Sequence, residues 1–332
     1  MDYSKGFAAY YEAFRVDPVT WTDEEELLLT DGRLTRNTDS LRESASVTMT
    51  DMPAGEFWIR IYLKAAQEGT QDRRAIFTGL ATSPEKSIDD GFISYSVDCY
   101  SALKPAADVF VPVGYYAPSG ISAAEIAADL LGSVTPAPVE VAARSPALTS
   151  AIVAEDEETD LTMAEKIIDA IGWRIRTAGD GTVVIEPAST EEKRTFGASN
   201  DVLEMSVTDK QDLFSVPNVL RVVVGSTVTV ARDEDPDSPY SVSNRGREVW
   251  AQEKNPTIPD DTSVTQFARE QLKTKQAAAR TVSYTRRFDP DIFVGDIVRL
   301  NYSEIQGLFR ITSQSIDLSA GAPVQEEAEY IG

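Results

Sequence analysis

The segment Phe57-Trp58-Ile59-Arg60-Ile61-Tyr62-Leu63 alternates with a period of two, and this constrains the fold more than any other feature of the chain. A strand turns successive side chains to opposite faces. Phe57, Ile59, Ile61 and Leu63 therefore share one side, with Trp58, Arg60 and Tyr62 on the other. The pattern predicts a half-buried strand. Residues 75–80 and 92–97 continue it, the second run opened by a turn at Asp89-Asp90-Gly91. Strand character returns far downstream at 219–224 and 227–230 around Gly225-Ser226, then at 281–288, 292–300 and 308–318. Short strands at such spacing favour small barrels or sandwiches.

Between the two strand-rich stretches the period changes. Ser122-Ala123-Ala124-Glu125 has the form of a capping box, Ile121 and Ile126 are placed for a hydrophobic staple, and Gly132 supplies a stop. These signals predict a helix over 122–131. Residues 134–146 carry three prolines and read as an ordered loop. Thr162-Met163-Ala164-Glu165 reads as a second box, opening a helix with a stripe of Met163, Ile167, Ile168 and Ile171 that ends at Gly172. Trp173–Arg176 and Thr182–Ile185, around Gly179-Asp180-Gly181, predict a hairpin. Ser263 with Gln266 opens one further helix to about 279, burying Val264, Phe267, Ala268 and Leu272. The expected fold class is α+β, mainly β, with two small tube-like β-barrel domains flanking an inserted α+β module. The expected division is an amino-terminal arm at 1–8, a first barrel at 9–112, the module at 113–202, and a second barrel at 203–332 that carries the 263–279 helix.

Charge and composition narrow the chemistry. With 54 acidic residues against 31 Lys and Arg, the chain carries −23 and has no histidine. Such a surface is poorly suited to gripping nucleic acid or an anionic membrane. Histidine-dependent triads and Cys–His zinc sites are excluded by count. Neither a Gly-x-Ser-x-Gly elbow nor a phosphate-cradling glycine loop occurs. Glu155-Asp156-Glu157-Glu158 lacks the alternation of a calcium loop and reads as a solvated run before a helix. Asp233-Glu234-Asp235-Pro236-Asp237 reads as a mobile hairpin tip. Cys99 lies in an alternating apolar stretch and reads as a small buried hydrophobe. No catalytic, cofactor-binding or metal-ligating residue is singled out, and no enzymatic activity is expected. No run approaches the ~18 apolar residues of a membrane span, so no stable membrane association is expected. The first residues lack the features of a signal peptide, which points to folding in the cytoplasm. Tyr3, Phe7, Tyr10, Tyr11 and Phe14 crowd the amino end. Tyr3 and Phe7 suit an arm that contacts a neighbouring subunit, while 10–16 suits a first strand.

Leu34-Thr35-Arg36 through Leu41-Arg42-Glu43-Ser44-Ala45, then Trp58-Ile59-Arg60-Ile61, begin a succession of segments that resembles the tail hub proteins of tailed bacteriophages and prophages. Phe77-Thr78-Gly79-Leu80-Ala81-Thr82-Ser83-Pro84 leads on to Cys99-Tyr100-Ser101-Ala102-Leu103-Lys104-Pro105. Gly120-Ile121-Ser122-Ala123-Ala124-Glu125-Ile126 and Leu161-Thr162-Met163-Ala164-Glu165-Lys166-Ile167-Ile168 follow, then Val216-Pro217-Asn218-Val219 and Val294-Gly295-Asp296-Ile297-Val298. The resemblance implies a virion protein at the distal end of the tail or in the baseplate. It implies a homotrimer whose paired lobes make a pseudo-hexameric ring, adapting the sixfold tail tube or distal tail ring above to a threefold central fibre or spike below. The tape-measure protein in the lumen is a further partner on this reading, DNA passes without sticking, and no cofactor is implied. Since larger relatives carry fibre or hydrolase extensions, a separate protein is expected to supply those functions here. Two other classes stay open at this point. A receptor- or carbohydrate-binding module of the tail tip would show clustered exposed aromatics, and a carboxylate-based glycosidase would need two acids across a cleft.

Overall fold

In the computed structural model, which describes residues 1–38, 41–197, 206–254, 256, 258, 262–321 and 323–332, the strand Phe57–Gln67 pairs antiparallel with Ala8–Val16 on one side and Thr70–Asp89 on the other. Those pairings begin a 13-stranded sheet that runs through both halves of the chain. From one end its order is Val207–Gln211, Arg280–Arg287, Pro323–Tyr330, Ile305–Asp317, Leu29–Arg36, Glu43–Met49, Phe92–Ser101, Thr70–Asp89, Phe57–Gln67, Ala8–Val16 and Asp23–Leu27. Ile297–Tyr302 joins as a side branch on Ile305–Asp317, and Glu192–Gly197 pairs parallel with that branch.

The two barrels expected from the sequence are not present. Among the described residues the sheet is open, and its end strands, Asp23–Leu27 and Val207–Gln211, do not pair with each other. The physical reason lies in one long strand. Ile305–Asp317 pairs with Ile297–Tyr302 over its first residues, and its last four (Gln314, Ser315, Ile316, Asp317) pair instead with Arg36, Thr35, Leu34 and Arg33 of the first half. A period of two reports that a strand has a buried face. It does not report which edge finds which partner, so closure was invisible to it. The expected division at 202/203 lies outside the described residues.

A second departure concerns Phe57–Gln67 itself. Trp58 and Arg60 are both buried, so the strand is covered on both faces over its first residues. Trp58 packs in a core shared with helices Ala123–Gly132 and Asp160–Asp169, so the inserted module covers the face that the sequence left to solvent. The module also holds a three-stranded sheet, Trp173–Thr177, Val183–Pro187 and Val139–Val141.

The helices fall close to their signals, with one shift. Ser122 Oγ accepts from the Glu125 amide at 3.4 Å, which is one half of the first box. The next helix starts at Asp160: Thr159 is its cap, and the reciprocal box joins Thr159 to Thr162. Thr162 and Glu165 satisfied the same spacing one turn too late, because Thr159 fits the pattern only if Thr162 substitutes for the usual Glu or Gln. Helix Val264–Ala277, capped by Ser263, packs Phe267, Ala268 and Leu272 on a separate three-stranded sheet of Thr227–Arg232, Val219–Val224 and Trp250–Lys254. At the carboxyl end, the run expected over 292–300 is strand only over Ile297–Tyr302; Ile292 to Asp296 form a turn, with Gly295 at φ 87°.

Candidate assembly surface

Three regions of the chain meet at a buried polar junction that fixes any outward surface relative to the rest. Arg36, 3% exposed, places its guanidinium 3.4 Å from Glu43 Oε2 and 3.4 Å from Gln314 Oε1, and donates to the Ile76 carbonyl at 2.7 Å. Its charge lies 4.6 Å from the centre of the Phe293 ring, on the turn that precedes the side-branch strand. Gln314 Nε2 passes the connection on to Glu326 at 2.6 Å, and Glu326 grips Arg286 through both carboxylate oxygens. From the module, Arg174 donates to Asp296 at 3.1 Å and to the Val294 carbonyl at 3.3 Å, while Arg176 pairs with Glu186 at 2.8 Å. A cavity of about 190 Å³ is lined by Arg36, Glu43, Arg174, Arg176 and Phe293 of this junction. Burial pushes the Glu43 carboxyl up to about 7, only partly offset by Arg36, and its Oε1 has no hydrogen-bond partner among the described residues.

The module is also keyed to the first half by its hairpin turn. Gly179 lies so close to the neighbouring backbone that a Cβ there would stand 1.9 Å from the Ala75 carbonyl oxygen. Around it, Thr78 Oγ1 donates to the Gly179 carbonyl at 2.9 Å, and Trp21 Nε1 and Arg60 donate to the Asp180 carbonyl at 2.9 and 3.0 Å. The sequence marked Gly179-Asp180-Gly181 as a turn; only the fold shows that the turn docks.

On this frame stands a projecting ribbon. Thr70–Asp89 pairs with Phe57–Gln67 only through Ala81, and Phe92–Ser101 pairs with Glu43–Met49 only from Tyr95 onward. Beyond those points the two strands hold only each other, out to Asp89 opposite Phe92. The turn has Asp90 at φ 45° and Gly91 at φ 85°, the left-handed pair that a two-residue hairpin loop needs. Ile88 and Phe92 are 67% and 79% exposed there, and Ile93, opposite Ile88, is also exposed. A second apolar cluster lies on the module, where Tyr116 and Val153 are paired across strands and exposed, close in sequence to exposed Phe110 and Val113. Exposed apolar side chains grouped in this way on a chain this acidic make these two places the candidate interaction surfaces.

The residues singled out in the sequence are placed as follows. Tyr3 is buried in the first-half core, meets Phe7 edge to face at 5.3 Å, and donates to Asp72 at 3.0 Å; Phe7 is half-buried. Burial raises the Tyr3 phenol well above its ordinary range. Glu155 and Glu158 flank Lys166 at 3.5 and 3.4 Å, ahead of the helix that Thr159 caps. In the acidic loop after Arg232, Asp233 is buried, accepts from Ser238 Oγ at 2.6 Å, and is tied to helix Val264–Ala277 by Gln276 at 3.0 Å, while Glu234 to Asp237 are exposed. Cys99 is fully buried, and its thiol is pushed up by that burial. Among the described residues, no group of three or more His, Cys, Asp or Glu stands together as a metal site. The ribbon's exposed tip was missed as a surface. The signal was Ile88 and Phe92 flanking Asp89-Asp90-Gly91, since apolar residues at a turn have no neighbouring strand to cover them.

No protein-family model and no curated protein matches the chain. Solved structures do. A tail protein from Neisseria meningitidis MC58 superposes with a TM-score of 0.70 at 14% identity, covering 98% of this chain and 97% of that one. The 43 kDa tail protein of prophage MuSo2 from Shewanella oneidensis gives 0.66 at 13%, covering 97% and 98%. Prophage tail protein gp18 from Listeria monocytogenes EGD-e gives 0.57 at 12%, covering 96% and 94%. At these identities the likeness is one of architecture, and it runs end to end: this chain has the fold of phage and prophage tail proteins.

Proposed function

We propose that the chain is a structural protein of a phage tail, located in the virion at the tail's distal end or baseplate. The observation that carries this is the match over nearly the whole of both chains to the Neisseria meningitidis tail protein. The exposed ribbon around Ile88, Phe92 and Ile93 supports it, because apolar side chains at the tip of a two-stranded ribbon gain stability when a partner covers them.

In the finer form of this reading, three copies make a ring in which the two strand-rich halves of each occupy neighbouring positions. The ring meets the sixfold tube or distal tail ring above and a threefold fibre or spike below, with the tape-measure protein a lumen partner. The arm at 1–8 acts on a subunit contact through the half-buried Phe7, with Tyr3, enclosed in its own chain's core, holding the arm in place, and the functional division is 9–112, 113–202 and 203–332. A net charge of −23 supports a lumen that repels the DNA backbone, since each phosphate contact with Lys or Arg adds affinity that must be broken for passage.

The test is genetic and structural. Ile88→Ser with Phe92→Ser removes exposed apolar surface, so the isolated chain should keep its stability to about 0.5 kcal/mol, while incorporation into tails is lost. Normal incorporation sinks the ribbon as an assembly surface. A symmetry-resolved image of the particle reads copy number directly, and any number other than three per tail ends the ring assignment.

A further inference from the structure

The three-stranded sheet Thr227–Arg232, Val219–Val224 and Trp250–Lys254 is covered by helix Val264–Ala277 on one face. Strand alternation and register define the opposite face. Across the strands run Arg232, Val219 and Trp250, then Val230, Arg221 and Gln252, then Val228, Val223 and Lys254. None of these positions is acidic, and Arg221, Arg232 and Lys254 are all exposed. Trp250 is 50% exposed, and Val228 and Val230 are exposed beside it. The Arg232 guanidinium lies 5.5 Å from the Trp250 ring centre, and Val219, between them in the register, is buried. Arg232 pairs with Glu248 at the rim; Arg221 and Lys254 have no ion-pair partner among the described residues.

A chain carrying −23 repels its own copies, so self-association needs a place where that repulsion reverses locally. A face with no acid at its strand positions, with Glu248 at the rim taken up by Arg232 and the Trp250 indole, with Arg221 and Lys254 left over, and with Trp and Val beside Arg, supplies one. Trp and Arg are also the side chains that carry most contact energy at protein interfaces. We propose that this face binds the acidic surface of a second copy of the same chain, in a head-to-tail contact. Such contacts join two different patches and so build rings when the rotation closes. The inference rests on the multi-copy ring proposed above and names the surface that makes it.

The experiment compares self-association of the full chain, by native mass spectrometry and sedimentation, for wild type and for Arg221→Glu with Lys254→Glu. A control, Lys193→Glu with Lys273→Glu, makes the same change in net charge away from the face. Circular dichroism and thermal melts confirm that each variant is folded. The face variant should weaken association about tenfold or more, the scale of two reversed contacts, and the control should not. Equal weakening by both, or no weakening by either, overturns the proposal. A trimer that survives in the face variant leaves the ring standing and removes this surface from it. A dimer that is lost in the face variant does the reverse. A wild-type chain that stays monomeric at every concentration overturns the self-contact, while the threefold reading keeps its own test in the particle.

Discussion

Glu43 offers a quantitative test of the buried junction. Its carboxyl is displaced from an ordinary 4.5 to about 7 because burial outweighs the attraction of Arg36. The displacement is about 2.5 pH units, worth about 3 kcal/mol at ~1.4 kcal/mol per unit. The unfolded chain releases this proton near 4.5 and the folded chain holds it to about 7. Between those values the folded state binds more protons, so the group's contribution to stability falls as pH rises and the full penalty is present above 7. Glu43→Gln keeps the size and a hydrogen-bonding oxygen but has nothing to ionise. The variant should therefore match wild type near pH 4.5 and exceed it by up to about 3 kcal/mol at pH 8. A rival effect has the opposite sign: breaking a buried ion pair costs about 3–5 kcal/mol. Geometry decides between them. Arg36 meets Glu43 through one contact at 3.4 Å and keeps the Ile76 carbonyl, Gln314 and the Phe293 ring when the charge is gone. Urea unfolding of both proteins across pH 4.5–8.5 reads the difference, with titration of the other carboxylates cancelling between them. A variant less stable than wild type at pH 8, or a gap that does not change with pH, refutes the reasoning.

The Arg286–Glu326 pair should behave in the opposite way, because both side chains are fully enclosed and joined by two contacts. Glu326→Ala strands the guanidinium and should cost about 3–5 kcal/mol, whereas Arg286→Met with Glu326→Leu should cost far less; a chemical-unfolding cycle checks both, and equal losses would count against the pair. Gly179→Val drives a side chain into the Ala75 backbone and should cost at least about 1–3 kcal/mol. Hydrogen exchange should show the loss of protection concentrated where the 178–181 turn meets residues 75–78, and uniform protection would mean that the turn does not dock.

Much of the local structure was legible because its causes are local. Ser122, Ser263 and the Asp90-Gly91 turn act within a few residues, and each appears where its chemistry places it. The cap of the next helix was placed at Thr162 for the same local reason: Thr159, three residues earlier, offers a competing cap, and the structure uses it, with Asp160 and Leu161 buried in the first turn. Arg60 was assigned to an open face because alternation alone cannot show that a module one hundred residues away packs down on it. The junction was illegible for that reason too. Arg36, Glu43, Arg176, Asp296, Gln314 and Glu326 are scattered charged or amide residues in a chain rich in them, and nothing in their spacing sets them apart.

The sequence by itself determined that the chain is mainly β, that a helical module interrupts it, and that histidine chemistry is closed to it. These follow from periodicity, capping and composition, which act over a few residues or over none. Tertiary structure alone decided that strands from both halves of the chain join one open sheet, when the last four residues of Ile305–Asp317 reached across to Leu29–Arg36. It also decided which charges would be enclosed and which face would stay bare. Such outcomes depend on loop closure and competing edges over hundreds of residues, where many pairings satisfy the same alternation and only the packed whole selects one.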